Sequence, residues 1–125
     1  MSVALTEQAV VERRKTVTRR LGWHHATAGM RLTLCRKVMG RKRPDGSVEP
    51  LVRLAEVEIV DVRRERIWDI TDEDIVREAV DPALFDEHYT ETGQPTERAW
   101  IDWFCDAMDC RPDDYITRIE WRYLT

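Results

Sequence analysis

The sequence predicts an α+β fold, a small and strongly curved sheet with helices inserted before its last strand. Three observations carry this. Two stretches, 30–39 and 51–63, alternate apolar and polar residues and are joined across an Asp45-Gly46 turn signal. Two capped helical segments follow, opening at Thr71 and at Thr96. The chain then closes on a strictly alternating stretch, Tyr115 to Leu124.

Taken in order, Leu5 to Arg14 reads as a short helix. Thr6 can cap it, and Leu5, Ala9 and Val10 form one apolar stripe. It ends where the β-branched run Thr16-Val17-Thr18 favours a strand. Leu21-Gly22-Trp23 leaves that strand, and 24–29 is a loop or single turn. From Met30 to Met39, Met30, Leu32, Leu34 and Val38 share one face. Residues 40–50 are a connecting loop that begins with Arg41-Lys42-Arg43. Leu51 to Arg63 returns as a second long strand. Its apolar parity changes between Ile59 and Val60, which predicts a bulge there and a sheet that curls.

Thr71-Asp72-Glu73-Asp74 opens a helix that runs to about Val80. Asp81-Pro82 supplies a cap and an N1 proline for another short helix. Residues 90–95 are a loop. Thr96 caps a stronger helix whose face is Trp100, Trp103, Phe104, Ala107 and Met108. In the closing strand Tyr115, Thr117, Ile119, Trp121 and Tyr123 face one way, against Ile116, Arg118, Glu120 and Arg122.

At 125 residues, 42% hydrophobic and 35% charged, the chain suits one soluble domain, residues 1–125. No apolar run has the length of a membrane span and no secretory h-region opens the sequence, so the expected compartment is the cytoplasm. Cys35, Cys105 and Cys110 form no C-x-x-C pair and read as reduced thiols. A metal site from His24, His25, Cys105 and Cys110 would match no standard zinc spacing, so neither metal nor cofactor is expected.

The net charge of −4 argues against tight, unspecific nucleic-acid binding. Its distribution is uneven. Residues 1–66 hold 15 Lys/Arg against 8 Asp/Glu, and residues 67–125 hold 5 against 16, giving +7 and −11. Such asymmetry either makes one face positive or pairs the two halves within the fold.

The chemistry-bearing stretch is Lys15-Thr16-Val17-Thr18-Arg19-Arg20. It combines hydroxyl nucleophiles, a candidate base and anion-binding arginines. A threonine hydroxyl needs a neighbour to take its proton. Lys15 can serve only with a depressed pKa, which the like charges of Arg13, Arg14, Arg19 and Arg20 and burial in a cleft would favour. In a regular strand Lys15 and Thr18 face opposite ways, so they meet only if the chain bends at Lys15. Without that bend the run is a solvated basic patch with ordinary strand threonines. Trp23, just after the run, is the candidate stacking ring, and Arg41, Lys42 and Arg43 could extend a phosphate track.

Lys15-Thr16-Val17-Thr18-Arg19-Arg20 with Gly22-Trp23 resembles the N-terminal signature of ASCH domains, in particular small phage and prophage members. Ile70 to Asp74 leading to Arg77-Glu78, and the closing 117–123 strand, are similar to the family in content and order. The resemblance implies a PUA-like β-barrel with flanking helices and a cleft for RNA or a modified nucleoside or nucleotide. One branch of the family hydrolyses the acetyl amide of N(4)-acetylcytidine with a lysine, a threonine and a glutamate. Carried over, these fall on Lys15, Thr18 and Glu78, and Arg20 matches an arginine that follows the threonine. Many relatives have glycine after the glutamate, where this chain has Ala79. The expected function is therefore binding of RNA or a modified nucleotide in a cleft lined by Lys15, Thr16, Thr18, Arg19, Arg20, Trp23 and Glu78. Alternatives are an amidohydrolase on an acylated nucleoside, a ribonuclease, and a phage accessory protein that binds a host protein in the host cytoplasm.

Overall fold

The computed structural model describes residues 1–36, 42–48, 50–85 and 93–125. The elements are helix α1 (Glu7–Val11), strands β1 (Val17–Arg20), β2 (Arg31–Cys35) and β3 (Arg53–Arg66), helices α2 (Asp72–Glu78) and α3 (Glu97–Met108), and strand β4 (Tyr115–Tyr123). Short 3-10 turns occupy Ala4–Thr6, Ile67–Asp69 and Pro82–Leu84. The expected extension of the second strand to Met39, and Arg41, lie outside the described residues. No helix among the described residues is long and apolar enough to cross a membrane.

The four strands form one antiparallel sheet in the order β1-β4-β3-β2. Its edges, β1 and β2, are spanned by the N-terminal segment. Val3 N–H donates to Cys35 O and Cys35 N–H to Met1 O, each at 2.9 Å. Ser2 O accepts from Arg20 Nη2 at 2.7 Å. The parity change in β3 is a bulge: Ile59 pairs with Trp121 and Asp61 with Glu120, leaving Val60 between them. Ala55, Val57 and Ile59 therefore face the same core as Val62 despite opposite sequence parity.

Two apolar clusters cover the two faces. One joins Val3, Val10, Leu34, Val57, Ile59, Ile119 and Trp121. The other joins Ile67, Ile75, Phe85, Trp100, Phe104 and Ile116 under α2 and α3. The alternation of β4 feeds both, Ile119 and Trp121 on one side and Ile116 on the other.

The expected caps form. Thr71 Oγ1 accepts from Asp74 N–H at 3.2 Å, Asp81 Oδ1 from Ala83 N–H at 3.0 Å, and Thr96 Oγ1 from Ala99 N–H at 3.2 Å. The first helix departs from expectation. It opens as a 3-10 turn, and Thr6 does not cap it, its hydroxyl turning back to Val3 O at 3.5 Å. Five α-helical residues bury only Ala9 and Val10, so the segment is held by tertiary packing rather than by its own hydrogen bonds.

Candidate nucleotide-binding cleft

The chain does bend at Lys15. Arg13 adopts a left-handed φ of 63°, and Arg14 and Lys15 donate their N–H groups back to Ala9 O, at 2.8 and 3.3 Å. The Lys15 carbonyl accepts from Trp121 Nε1 at 3.0 Å and from the Tyr123 hydroxyl. Strand geometry begins only at Val17. This junction frees the Lys15 side chain from strand alternation and sends it to the end of α2. There Nζ donates to Glu78 O at 2.8 Å and to Glu78 Oε1 at 3.0 Å. The contact to Glu78 O satisfies a carbonyl that the end of the helix leaves open, at the negative pole of its dipole.

Helix α2 ends at Glu78 because Ala79 takes the left-handed conformation, φ 54° and ψ 36°. This is where a glycine would be at ease, and Ala79 holds the same turn at a steric cost.

On β1, Thr18 and Arg20 share a face and Arg19 takes the other. Arg20 Nε donates to Thr18 Oγ1 at 3.2 Å. Arg19, whose side chain is fully buried, donates Nη2 to Glu65 and, at 2.7 Å, to Asp74 Oδ2. Its Nη1 lies 3.7 Å from Glu78 Oε2. Arg118, opposite Arg19 on β4, grips Asp74 with Nε and Nη2 at 2.7 and 2.9 Å. A buried ion-pair layer therefore joins the sheet to α2, and it absorbs part of the charge asymmetry seen in the sequence.

Lys15, Thr18, Arg19, Arg20 and Glu78 form the polar wall of a cleft of about 380 Å³ at the β1 edge. Trp23, Trp100, Trp103, Phe104 and Met108 form its aromatic and apolar wall, and residues 2–6 its rim. Burial pushes the Lys15 ammonium below its ordinary pKa. Glu78 opposes that shift, while Arg20 and Arg19 add to it. Burial also lowers Arg20. Asp74 would be raised by burial alone, but hydrogen bonds from Arg118 and Arg19 hold it well below the usual carboxylate range. Glu78 Oε2, Arg19 Nη1 and Trp100 Nε1 are buried with no hydrogen-bond partner among the described residues. The first two face each other as an ion pair at 3.7 Å, so Glu78 Oε2 can still accept a hydrogen bond and Trp100 Nε1 can still donate one.

The structure thus brings Lys15, Thr18, Arg19, Arg20, Trp23 and Glu78 around one cleft. Thr16 stands outside it; its N–H is held by Arg77 O and its carbonyl by Trp121 N–H, each at 3.0 Å. Lys42 and Arg43 are exposed in a turn and do not line the cleft. Trp100, Trp103 and Phe104 were expected as a packing face and also line it. Sequence periodicity marks them as apolar but does not show which ring edge a cleft leaves open. His24 and His25 are exposed, and His25 stacks on Trp23 with ring centroids 4.9 Å apart. No group of three or more His, Cys, Asp or Glu suited to a metal occurs among the described residues.

No protein-family model and no curated protein matches this chain. Solved structures do match its fold. A protein of Enterococcus faecalis V583 from family DUF984 aligns with 94% of this chain and 66% of its own, at 13% identity and a TM-score of 0.60. An ASCH domain from Lactobacillus crispatus JV V101 aligns with 94% of this chain and 69% of its own, at 11% identity and a TM-score of 0.55. The chain spans about two thirds of the length of these structures. It therefore shares its α+β fold with these structures, an ASCH domain among them.

Proposed function

We propose that this ASCH-like domain binds RNA or a modified nucleotide in the cleft at the β1 edge. The observation that carries this reading is convergence. Lys15 from a helix–strand junction, Thr18 from β1 and Glu78 from the end of α2 meet at one cleft that Trp23, Trp100 and Trp103 also line. A base can stack on the cleft's aromatic rings, and its polar edge can reach Glu78 Oε2, which is ion-paired with Arg19 at 3.7 Å but accepts no hydrogen bond, and Trp100 Nε1, which donates none. Arg20 supplies positive charge at the same wall for a phosphate or ribose. Titration calorimetry with cytidine, N(4)-acetylcytidine and cytidine 5′-monophosphate tests it. Binding lost in Glu78→Gln and in Lys15→Ala is the expected result; no binding by the wild type overturns it.

A second reading, amide hydrolysis of N(4)-acetylcytidine, is favoured by two contacts. Arg20 Nε donates to Thr18 Oγ1, which leaves the hydroxyl proton free to depart, and the Lys15 amine is shifted towards neutrality. In this scheme Thr18 Oγ1 bonds to the acetyl carbon as its proton passes to the Lys15 amine. The carbon–nitrogen bond then breaks, and the proton moves from Lys15 to the exocyclic nitrogen, releasing cytidine. Glu78 takes a proton from the water that attacks the acetyl-threonine and returns it to Thr18 Oγ1 as that carbon–oxygen bond breaks, releasing acetic acid, which ionises to acetate. Chromatography of N(4)-acetylcytidine incubations reads the outcome. Conversion to cytidine that falls at least a hundredfold in Thr18→Val and in Lys15→Ala supports the scheme, and equal inactivity of wild type and variants removes it.

A further inference from the structure

A second surface lies beyond the cleft on the same face of the sheet as Arg20. Register pairs Arg20 with Thr117, Thr117 with Arg64, and Tyr115 with Arg66. Strands lie about 4.8 Å apart and alternate residues along a strand about 6.7 Å apart. Arg64 is thus roughly 10 Å from Arg20 across the sheet, and Arg66 about 6.7 Å further along β3. The row is held in place: Arg64 Nη1 donates to Thr117 Oγ1 at 2.7 Å, and that hydroxyl donates to Gly22 O, beside the cleft's Trp23.

At the far end stand two half-exposed rings, Trp68 at 49% and Tyr115 at 53%. The Arg66 guanidinium lies 5.3 Å from the Trp68 centroid and 5.2 Å from the Tyr115 centroid. Among the described residues no carboxylate pairs with that guanidinium, and its Nε is buried without a hydrogen-bond partner. The neighbouring acids are otherwise engaged: Asp69 accepts Arg66 N–H at 3.1 Å and Asp114 accepts Arg111 N–H at 2.9 Å. An arginine held on aromatic rings, with no acid of its own, is poised for an anion from outside.

We propose that Arg64, Arg66, Trp68 and Tyr115 form a platform for the nucleotides flanking the one in the cleft. The ligand is then a single-stranded RNA rather than a free nucleoside, with phosphates on Arg64 and Arg66 and bases stacked on Trp68 and Tyr115. The proposal rests on the reading that the cleft takes a nucleotide, and the test separates the two. A fluorescein-labelled single-stranded octauridylate and cytidine 5′-monophosphate are titrated into the wild type, Trp68→Ala, Trp68→Phe, Tyr115→Ala and Lys15→Ala.

The platform predicts octamer affinity about tenfold or more weaker in Trp68→Ala and in Tyr115→Ala, largely restored in Trp68→Phe, with mononucleotide affinity unchanged. Arg64→Gln should also lower the salt slope of octamer binding by about one. Wild-type octamer affinity in Trp68→Ala and Tyr115→Ala overturns the platform, and if Lys15→Ala still weakens binding the cleft survives alone. Octamer binding that depends on Trp68 without any mononucleotide binding keeps the platform and removes the cleft. Failure of the wild type to bind either probe overturns both, and equal competition by duplex RNA overturns stacking.

Discussion

Lys15 and Glu78 are each almost fully buried and are joined by a 3.0 Å ion pair. Removing one partner strands the other charge in a poorly solvated site. Lys15→Met or Glu78→Gln should therefore destabilise the fold by roughly 3–5 kcal/mol. The double variant Lys15→Met/Glu78→Gln should lose less than the sum, because no uncompensated charge remains. Urea midpoints of the four proteins measure this, and additive losses would show that the two side chains are not coupled. One residue further on, Ala79 sits at φ 54°. Ala79→Gly relieves a left-handed alanine, and its gain should be about 1 kcal/mol, seen as a higher thermal midpoint. A lower midpoint would mean that the loss of unfolded-state stiffness outweighs the strain.

At the scale of elements, helix α2 has seven residues and carries both Asp74 and Glu78 on its buried side. A helix so short does not hold itself. Its cap therefore matters to the site: Thr71→Ala should cost about 1 kcal/mol and weaken nucleotide binding slightly through Glu78, whereas Thr71→Ser should cost far less. Comparing melting curves with binding isotherms for both variants checks this. Caps at Thr71, Asp81 and Thr96 were legible because a side-chain acceptor two or three residues before a bare N–H is a local matter. The bulge at Val60 was legible because a change of parity leaves no other way to keep both halves of β3 facing inward. The first helix was not. Whether Thr6 turns forward to cap or back to Val3 O depends on how the N-terminal segment lies across Cys35, a contact between residues far apart in sequence.

At the scale of the molecule, the layer of Arg19, Asp74, Glu65 and Arg118 ties sheet to helices and makes part of the folding stability depend on an ionised Asp74. Asp74 has a folded-state pKa below its ordinary value of 3.8. Below that ordinary value the unfolded chain binds more protons than the folded one, so folding stability rises with pH there. The contribution of Asp74 is therefore complete above about pH 4 and is lost as pH falls towards its depressed folded value. Asp74→Asn should lower stability at neutral pH and flatten the dependence below pH 4. An unchanged acid profile would place that sensitivity elsewhere. The layer also explains why the opening run is not simply a solvated basic patch. Arg19 spends its charge on Glu65 and Asp74, while Arg20 remains at the cleft.

From the sequence alone came the α+β class, the order of strands and helices, the caps, the bulge and the chemical types at the site. These rest on local rules, periodicity and hydrogen-bond donors a few residues apart. Tertiary structure alone decided that Lys15 also binds the Glu78 carbonyl at the helix end, that Arg19 is turned inward, and that rings from α3 line the cleft. Those facts depend on which charges are desolvated together and which backbone carbonyls are left open at a helix end. No spacing along the chain encodes them, because the partners, 63 residues apart for Lys15 and Glu78, meet only once two elements have packed.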